Sequence, residues 1–210
     1  MKKNKFIVIE GLEGSGKTTA CQIIKKILLS HNIKKIIIVR QPGSTLISEK
    51  IRSIIKKDYK TEKLNKFSEL FLLYSARFQL MENIIKPSLK KGVWIISDRH
   101  NLSSIAYQGG GRNIDQSLIQ MLNNLINKIS KPDLTIFLDV SVEIGLKRAL
   151  LRSNFDRIEK QSKKFFLKVR KYYFKFLLSE KNKIIINANN NIKVMKENIK
   201  NQLNTWINKN

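Results

Sequence analysis

Short apolar runs alternate along this chain with longer stretches in which apolar residues recur every three or four positions. The runs are Phe6-Ile7-Val8-Ile9, Ile36-Ile37-Ile38-Val39, Val93-Trp94-Ile95-Ile96, Leu134-Thr135-Ile136-Phe137-Leu138 and Ile184-Ile185-Ile186. Such runs, short and without polar alternation, predict strands covered on both faces. The spacing of Ala20, Ile23, Ile24, Ile27 and Leu28 predicts a first helix. Phe67, Leu70, Phe71, Tyr74, Phe78, Met81 and Ile85 predict another over about 63–86, ended by Pro87. Ile192, Met195, Ile199, Leu203 and Trp206 predict a last helix over about 192–208. Five strands with helical crossovers predict an α/β, three-layer fold: a parallel sheet with helices on both faces, in one domain spanning 1–210.

In such sheets ligands sit at the carboxyl ends of the strands. After the first run comes Gly11-Leu12-Glu13-Gly14-Ser15-Gly16-Lys17-Thr18, the complete phosphate-binding loop G-x-x-x-x-G-K-[ST]. Strand, glycine loop and helix start put several backbone N–H groups and a helix N-terminus around one anion. Lys17 can then reach the β- and γ-phosphates of a nucleoside triphosphate, and the Thr18 hydroxyl can hold Mg²⁺. The fold expected is therefore of the P-loop NTPase type. After the second strand come Arg40, Gln41, Pro42 and Gly43; after the third, Asp98, Arg99 and His100; after the fourth, Asp139.

Composition changes this picture little. The formal charge of +25 suggests nucleic acid, but the lysines are spread along the chain beside an excess of Ile and Asn. Diffuse compositional bias explains that spread better than a dedicated nucleic-acid surface, although a basic exterior still attracts anionic nucleotides. Cys21 is the only cysteine, so no internal disulfide can form and a reducing cytoplasm is expected. Its place in the first helix suits a small packed side chain. No segment approaches the roughly 20 apolar residues that would span a bilayer.

An apolar strand ending in an acid places a carboxylate near Mg²⁺ in P-loop proteins. Asp98 and Asp139 both qualify; Asp98 is favoured by its polar surroundings, while Asp139 could equally cap the following helix. The P-loop carries no arginine at Leu12, Glu13, Gly14 or Ser15, so charge on a moving phosphoryl group needs cations from elsewhere. Arg148 and Arg152, at i and i+4, read either as one face of a mobile lid helix or as a solvated basic face. No triad, HExxH motif or zinc spacing is present, and His31 reads as a helix-end residue. An acceptor that is itself a phosphate needs no strong base, because a phosphomonoester with second pKa near ~6 is already ionised.

These residues resemble the bacterial thymidylate kinase family over essentially the full chain. The resemblance rests on Ile9-Glu10-Gly11 with the P-loop through Thr19, Arg40-Gln41-Pro42-Gly43, Tyr74-Ser75-Ala76-Arg77 and Ser97-Asp98-Arg99-His100. It continues through Ala106-Tyr107-Gln108-Gly109-Gly110-Gly111-Arg112, Leu138-Asp139-Val140 and Asp156-Arg157-Ile158-Glu159. It implies transfer of the γ-phosphoryl group of ATP to dTMP, with Mg²⁺, in a cytoplasmic homodimer formed through helices like that at 63–86. Residues 11–19 would bind ATP. Glu13 would approach the sugar 3′-hydroxyl, Arg99 would bridge acceptor and transferred group, and Arg52 would hold the acceptor phosphate, with Pro42 beside it. Arg77, Ser104 and Gln108 would read the thymine edge, Tyr107 would disfavour a 2′-hydroxyl, and Arg152 would act from a lid at about 148–158.

The chain departs from that pattern in three places. Gln41 and Ser44 stand where the family reads Glu and Gly, and Ser44 suits a φ > 0 turn less well than glycine. Leu73 stands four residues before Arg77, where the family stacks a phenylalanine on the base. If single-strand stacking energies transfer, that change costs up to about 3 kcal/mol of base affinity. Two alternatives accompany the thymidylate kinase reading: a kinase for another nucleoside monophosphate, and a P-loop ATPase acting on nucleic acid.

Overall fold

The computed structural model describes residues 4–152 and 155–209. Its centre is a five-stranded, wholly parallel sheet of spatial order 2-3-1-4-5, made of β1 (Phe6–Gly11), β2 (Ile36–Arg40), β3 (Trp94–Asp98), β4 (Leu134–Asp139) and β5 (Lys183–Asn187). Each expected run is a strand. Every strand continues past its apolar run at the carboxyl end, because Gly11, Arg40, Asp98, Asp139 and Asn187 stay in the ladder. Central β1 is buried along its whole length, and the edge strands β2 and β5 are partly open to solvent.

The helices are α1 (Lys17–Ser30), α2 (Leu46–Lys56), α3 (Lys66–Leu80), α4 (Lys86–Lys90), α5 (Asn101–Ser104), α6 (Gln116–Ile129), α7 (Val142–Leu150), α8 (Lys163–Leu177) and α9 (Ile192–Lys209). Helix α1 packs on α9, where His31 closes α1 and its Nε2 meets Asn204 Oδ1 at 2.8 Å. Cys21 is buried, and burial pushes its thiol pKa up, as suits a packed and unreactive side chain.

The helix expected over 63–86 differs at both ends. It begins at Lys66, because the Asn65 side chain caps it by accepting from the Phe67 N–H at 2.8 Å. Pro87 does not end it. A π-helical turn over Met81–Ile85, in which the Lys86 N–H reaches back to the Met81 carbonyl, leads directly into α4 with Pro87 in its first turn. There a missing N–H costs nothing, and the widened turn relieves the ring's usual clash with the preceding turn.

A second π-helical segment, Ile105–Gly111, carries three successive glycines under α8. A Cβ on Gly110 would lie 2.6 Å from Tyr172 Cγ, and one on Gly111 would enter the Phe165 ring. The glycines therefore let an aromatic helix lie directly on this backbone. Gly110→Ala should cost about 1–3 kcal/mol of stability through overpacking. Urea unfolding measures this; an unchanged midpoint would mean that Tyr172 moves aside freely.

Candidate active site

The loop between β1 and α1 turns on Gly11 (φ +147°), Gly14 (φ +68°) and Gly16 (φ +88°), backbone states that L side chains avoid. Gly14 also lies directly against the Gly145 carbonyl in α7, so a side chain there would collide with backbone. Helix α1 starts at Lys17 with no side-chain cap, leaving its first N–H groups free for an anion. Lys17 Nζ occupies the loop itself, donating to the Leu12 and Gly11 carbonyls at 2.6 and 3.1 Å. Burial, with the nearby charge of Arg99, pushes its pKa down to about 8.

Beside the loop, the exit of β3 delivers Asp98, Arg99 and His100. Asp98 Oδ2 accepts from the Thr18 hydroxyl at 3.1 Å. Arg99 takes φ +76°, unusual for a residue other than glycine, and is held there on several sides. Its guanidinium donates to Glu13 Oε1 at 2.9 Å, Gly11 O at 3.1 Å, and the Ser103 and Tyr173 hydroxyls at 3.2 Å each. Tyr107 donates its hydroxyl to Glu13 Oε2, which joins three of the expected site residues in one group.

Glu10, to which the sequence reading assigns no role, anchors this arrangement. Fully buried, it accepts from the His100 N–H at 2.8 Å, the Ser103 hydroxyl at 2.6 Å and N–H at 3.2 Å, and the Tyr173 hydroxyl at 3.0 Å. An acid directly after the apolar run Phe6–Ile9 was the available signal for it; Tyr173, far along the chain on α8, offered none.

Arg77, on α3, is also buried. Its Nε donates to Gln41 Oε1 at 2.9 Å and its Nη2 to Ser104 Oγ and the His100 carbonyl at 2.9 and 3.1 Å, while Nη1 has no partner. Ser104 thus orients Arg77. Arg52 donates to the Pro42 carbonyl at 2.9 Å. Ser44 adopts φ +67°, the turn expected to favour glycine, and is secured because its hydroxyl accepts from the Arg40 N–H and its own N–H donates to Glu49.

One cavity of about 490 Å³ gathers these groups: Glu13, Lys17, Thr18 and Asp98 beside Arg99, then Pro42, Arg52, Leu73, Arg77, Ser104, Tyr107 and Gln108. The sequence reading of the lid fares less well. Helix α7 ends at Leu150, so Arg148 and Arg152 do not share a helix face. Arg148 is committed to the carbonyls of Ala188, Asn189 and Asn190. Arg152 lies beyond the helix, lines the cavity, and pairs with Glu159 at 3.0 Å while 61% exposed. Ser153 and Asn154, within the expected lid, lie outside the described residues. Asp139 neither caps α7, which Ser141 does, nor lines the cavity; Arg170 grips both its oxygens at 3.0 Å.

Known proteins resemble this chain over its full length. A family model described as thymidylate kinase matches residues 9–199. The chain is 56% identical to a thymidylate kinase of Buchnera aphidicola subsp. Schizaphis graminum, over 99% of this chain and 98% of that one. It is 44% identical to a thymidylate kinase of Vibrio vulnificus, with the same two shares covered. The crystal structure of thymidylate kinase from Ehrlichia chaffeensis superposes with a TM-score of 0.78 at 27% identity, covering 98% of this chain and 100% of that chain. A glycine-rich phosphate loop, a cavity it shares with a buried arginine and a full-length match of this kind lead to one conclusion: the chain belongs to the thymidylate kinase family.

Proposed function

We propose that the chain transfers the γ-phosphoryl group of ATP to dTMP, giving dTDP and ADP. The observation that carries this reading is the single cavity lined both by the phosphate loop and by Arg52, Arg77, Ser104, Tyr107 and Gln108. A guanidinium in that lining suits the O4 carbonyl of thymine. The full-length family match favours neither a nucleic-acid-dependent ATPase nor a kinase for another monophosphate.

The donor triphosphate would lie on residues 11–19, drawing Lys17 Nζ from the loop carbonyls onto phosphate oxygens. Arg99 would align the acceptor phosphate with the transferred group, Arg52 would hold that phosphate, and Glu13 would take the sugar hydroxyl. Arg152 is itself 61% exposed and pairs with the largely buried Glu159, so moving to the transferred group would trade one anionic partner for another. The acceptor is already ionised, so catalysis is positioning and charge neutralisation.

Thr18 and Asp98 supply adjacent hard oxygen donors, and among the described residues no cluster of three His, Cys, Asp or Glu could hold a metal. That incomplete donor set suits Mg²⁺, which keeps waters and phosphate oxygens in its shell. Bound there, Mg²⁺ would neutralise charge on the donor phosphates. Phe67 and Phe71, one turn apart on α3 and 44% and 50% exposed, support a homodimer through this helix. No helix among the described residues is long and apolar enough to cross a membrane, and the buried lone cysteine suits a cytoplasmic protein.

ADP release with Mg-ATP and a panel of dTMP, dUMP, dCMP, AMP and thymidine tests the reaction. dTMP should be turned over best, and Arg99→Ala should lower kcat about a hundredfold or more without loss of helical signal. Equal rates across the panel, or none with dTMP, would refute the reading.

Lys17 should trade stability for activity. Its pKa is lowered from 10.5 to about 8, so at neutral pH both folded and unfolded states are charged and the folded state bears a burial penalty of order 3 kcal/mol. Between those two values the unfolded chain binds more protons, so the penalty fades as pH rises through the window. Lys17→Met should abolish turnover, raise stability at pH 7 by about 1–2 kcal/mol after loss of its carbonyl hydrogen bonds, and remove that rise. Denaturant titrations of both proteins at pH 7 and pH 10 provide the check. Phe71→Glu should convert a dimer into monomer by light scattering; an unchanged mass would remove α3 from the interface.

A further inference from the structure

Gln108 lines the acceptor end of the cavity, yet its amide is anchored behind the wall. Its Nε2 donates to Glu69 Oε1 at 2.8 Å, and Glu69, on α3, is 1% exposed and does not line the cavity. Glu69 is the hub of a buried cluster. Its Oε1 also accepts from Arg112 Nε at 3.3 Å, and its Oε2 accepts from Arg112 Nη2 at 3.1 Å and Arg157 Nη2 at 2.6 Å. Burial alone would raise its pKa, but Arg112 foremost among its partners holds it below the usual value. The carboxylate is therefore ionised and can only accept hydrogen bonds.

That restriction decides which way Gln108 faces. An amide has one donor end and one acceptor end, and an acceptor-only partner claims the donor end. Oε1 is then the end of the amide left to the cavity that Gln108 lines. An acceptor there matches a base edge with a ring N–H next to a carbonyl, as in thymine or uracil. Cytosine presents the reverse, an amino group next to an unprotonated ring nitrogen.

We propose that Glu69 is a specificity-determining positioning residue: it fixes the Gln108 amide so that the acceptor site takes an oxo-pyrimidine and rejects an amino-pyrimidine. The proposal rests on the dTMP reading above. Glu69 never touches substrate; it acts through Gln108.

Glu69→Gln tests this closely. The neutral carboxamide it introduces has one carbonyl, which the two guanidinium groups on the Oε2 side draw towards themselves. The new NH₂ then faces Gln108, whose amide must turn over and offer its own NH₂ to the base. The ratio of kcat/KM for dTMP to that for dCMP should fall about tenfold or more, mainly through KM for dTMP. In a Gln108→Met background, Glu69→Gln should leave the ratio unchanged, because the group it acts through is gone. Arg112→Met, which disturbs the same ion cluster but keeps the Glu69–Gln108 bond, should lower the unfolding midpoint and preserve the ratio. If Glu69→Gln alone does not fold, Glu69→Gln with Arg157→Met restores the charge balance and should show the same loss. Turnover of dTMP with an unchanged ratio in the Glu69 variants would overturn the proposal. No dTMP turnover by the wild-type enzyme would instead overturn the acceptor reading, and this proposal with it.

Discussion

A carboxylate sealed inside the protein organises the reactive end of this fold. Glu10 lies near the end of β1, and four donors converge on its two oxygens: the His100 N–H, both the N–H and hydroxyl of Ser103, and the Tyr173 hydroxyl. Burial raises its pKa, and these hydrogen bonds and Arg99 oppose that shift. An unpaired buried charge would be intolerable, so the surrounding chain has to supply donors. In doing so it fixes the turn out of β3 and the start of α5, which sets Arg99 in its positive-φ state over the phosphate loop. Tyr173 bonds both Glu10 and Arg99, tying α8 to the same point. Strain at Arg99 is thus maintained by a partner that never meets substrate.

Around this anchor the arginines fall into two kinds. Arg99, Arg112, Arg152 and Arg157 each have a carboxylate within ion-pair distance. Arg52 and Arg77 lean instead on neutral oxygens, those of Pro42, Gln41, His100 and Ser104. Burial lowers the pKa of both, and the more distant carboxylates of Glu49 and Asp98 near Arg52, and of Glu10 near Arg77, only partly oppose it. Both line the cavity that the phosphate loop also lines. Two cations without a direct ion-pair partner therefore line the same cavity, and electrostatic preorganisation of this kind is paid for during folding.

How much of this was legible follows from the range of each interaction. The five strands, the phosphate loop and the spacing of α1 and α9 are written in local periodicity, and each is found. Pro87 misled because local sequence cannot reveal that a widened turn would precede it. The Arg148–Arg152 pair misled because helical spacing assumes a helix, and α7 stops at Leu150. Asp139 carried an ambiguity between two local roles and took a third, a bond with Arg170 far along the chain. Glu10, Glu69 and Tyr173 matter through partners on other elements, so their function appears only once the elements are packed. Full-length family resemblance supplied most of the remaining site residues, by position and not by chemistry.

Gln41 shows how a departure from a family pattern can be absorbed. Arg77 Nε is a donor, so the Gln41 carbonyl must face it, and the amide NH₂ is left for Ser97 Oγ at 3.2 Å and His100 Nδ1 at 3.0 Å. His100 Nδ1 therefore accepts, which places the ring proton on Nε2 and leaves the imidazole neutral. Burial and the charge of Arg77 push the same way, holding the His100 pKa well below its ordinary value. A carboxylate at position 41 could bond Arg77, but it could approach this imidazole only if Nδ1 carried a proton. The carboxamide joins a guanidinium to a neutral histidine with every contact matched in sense. What it gives up is the negative charge, so Arg77 has no carboxylate against its guanidinium.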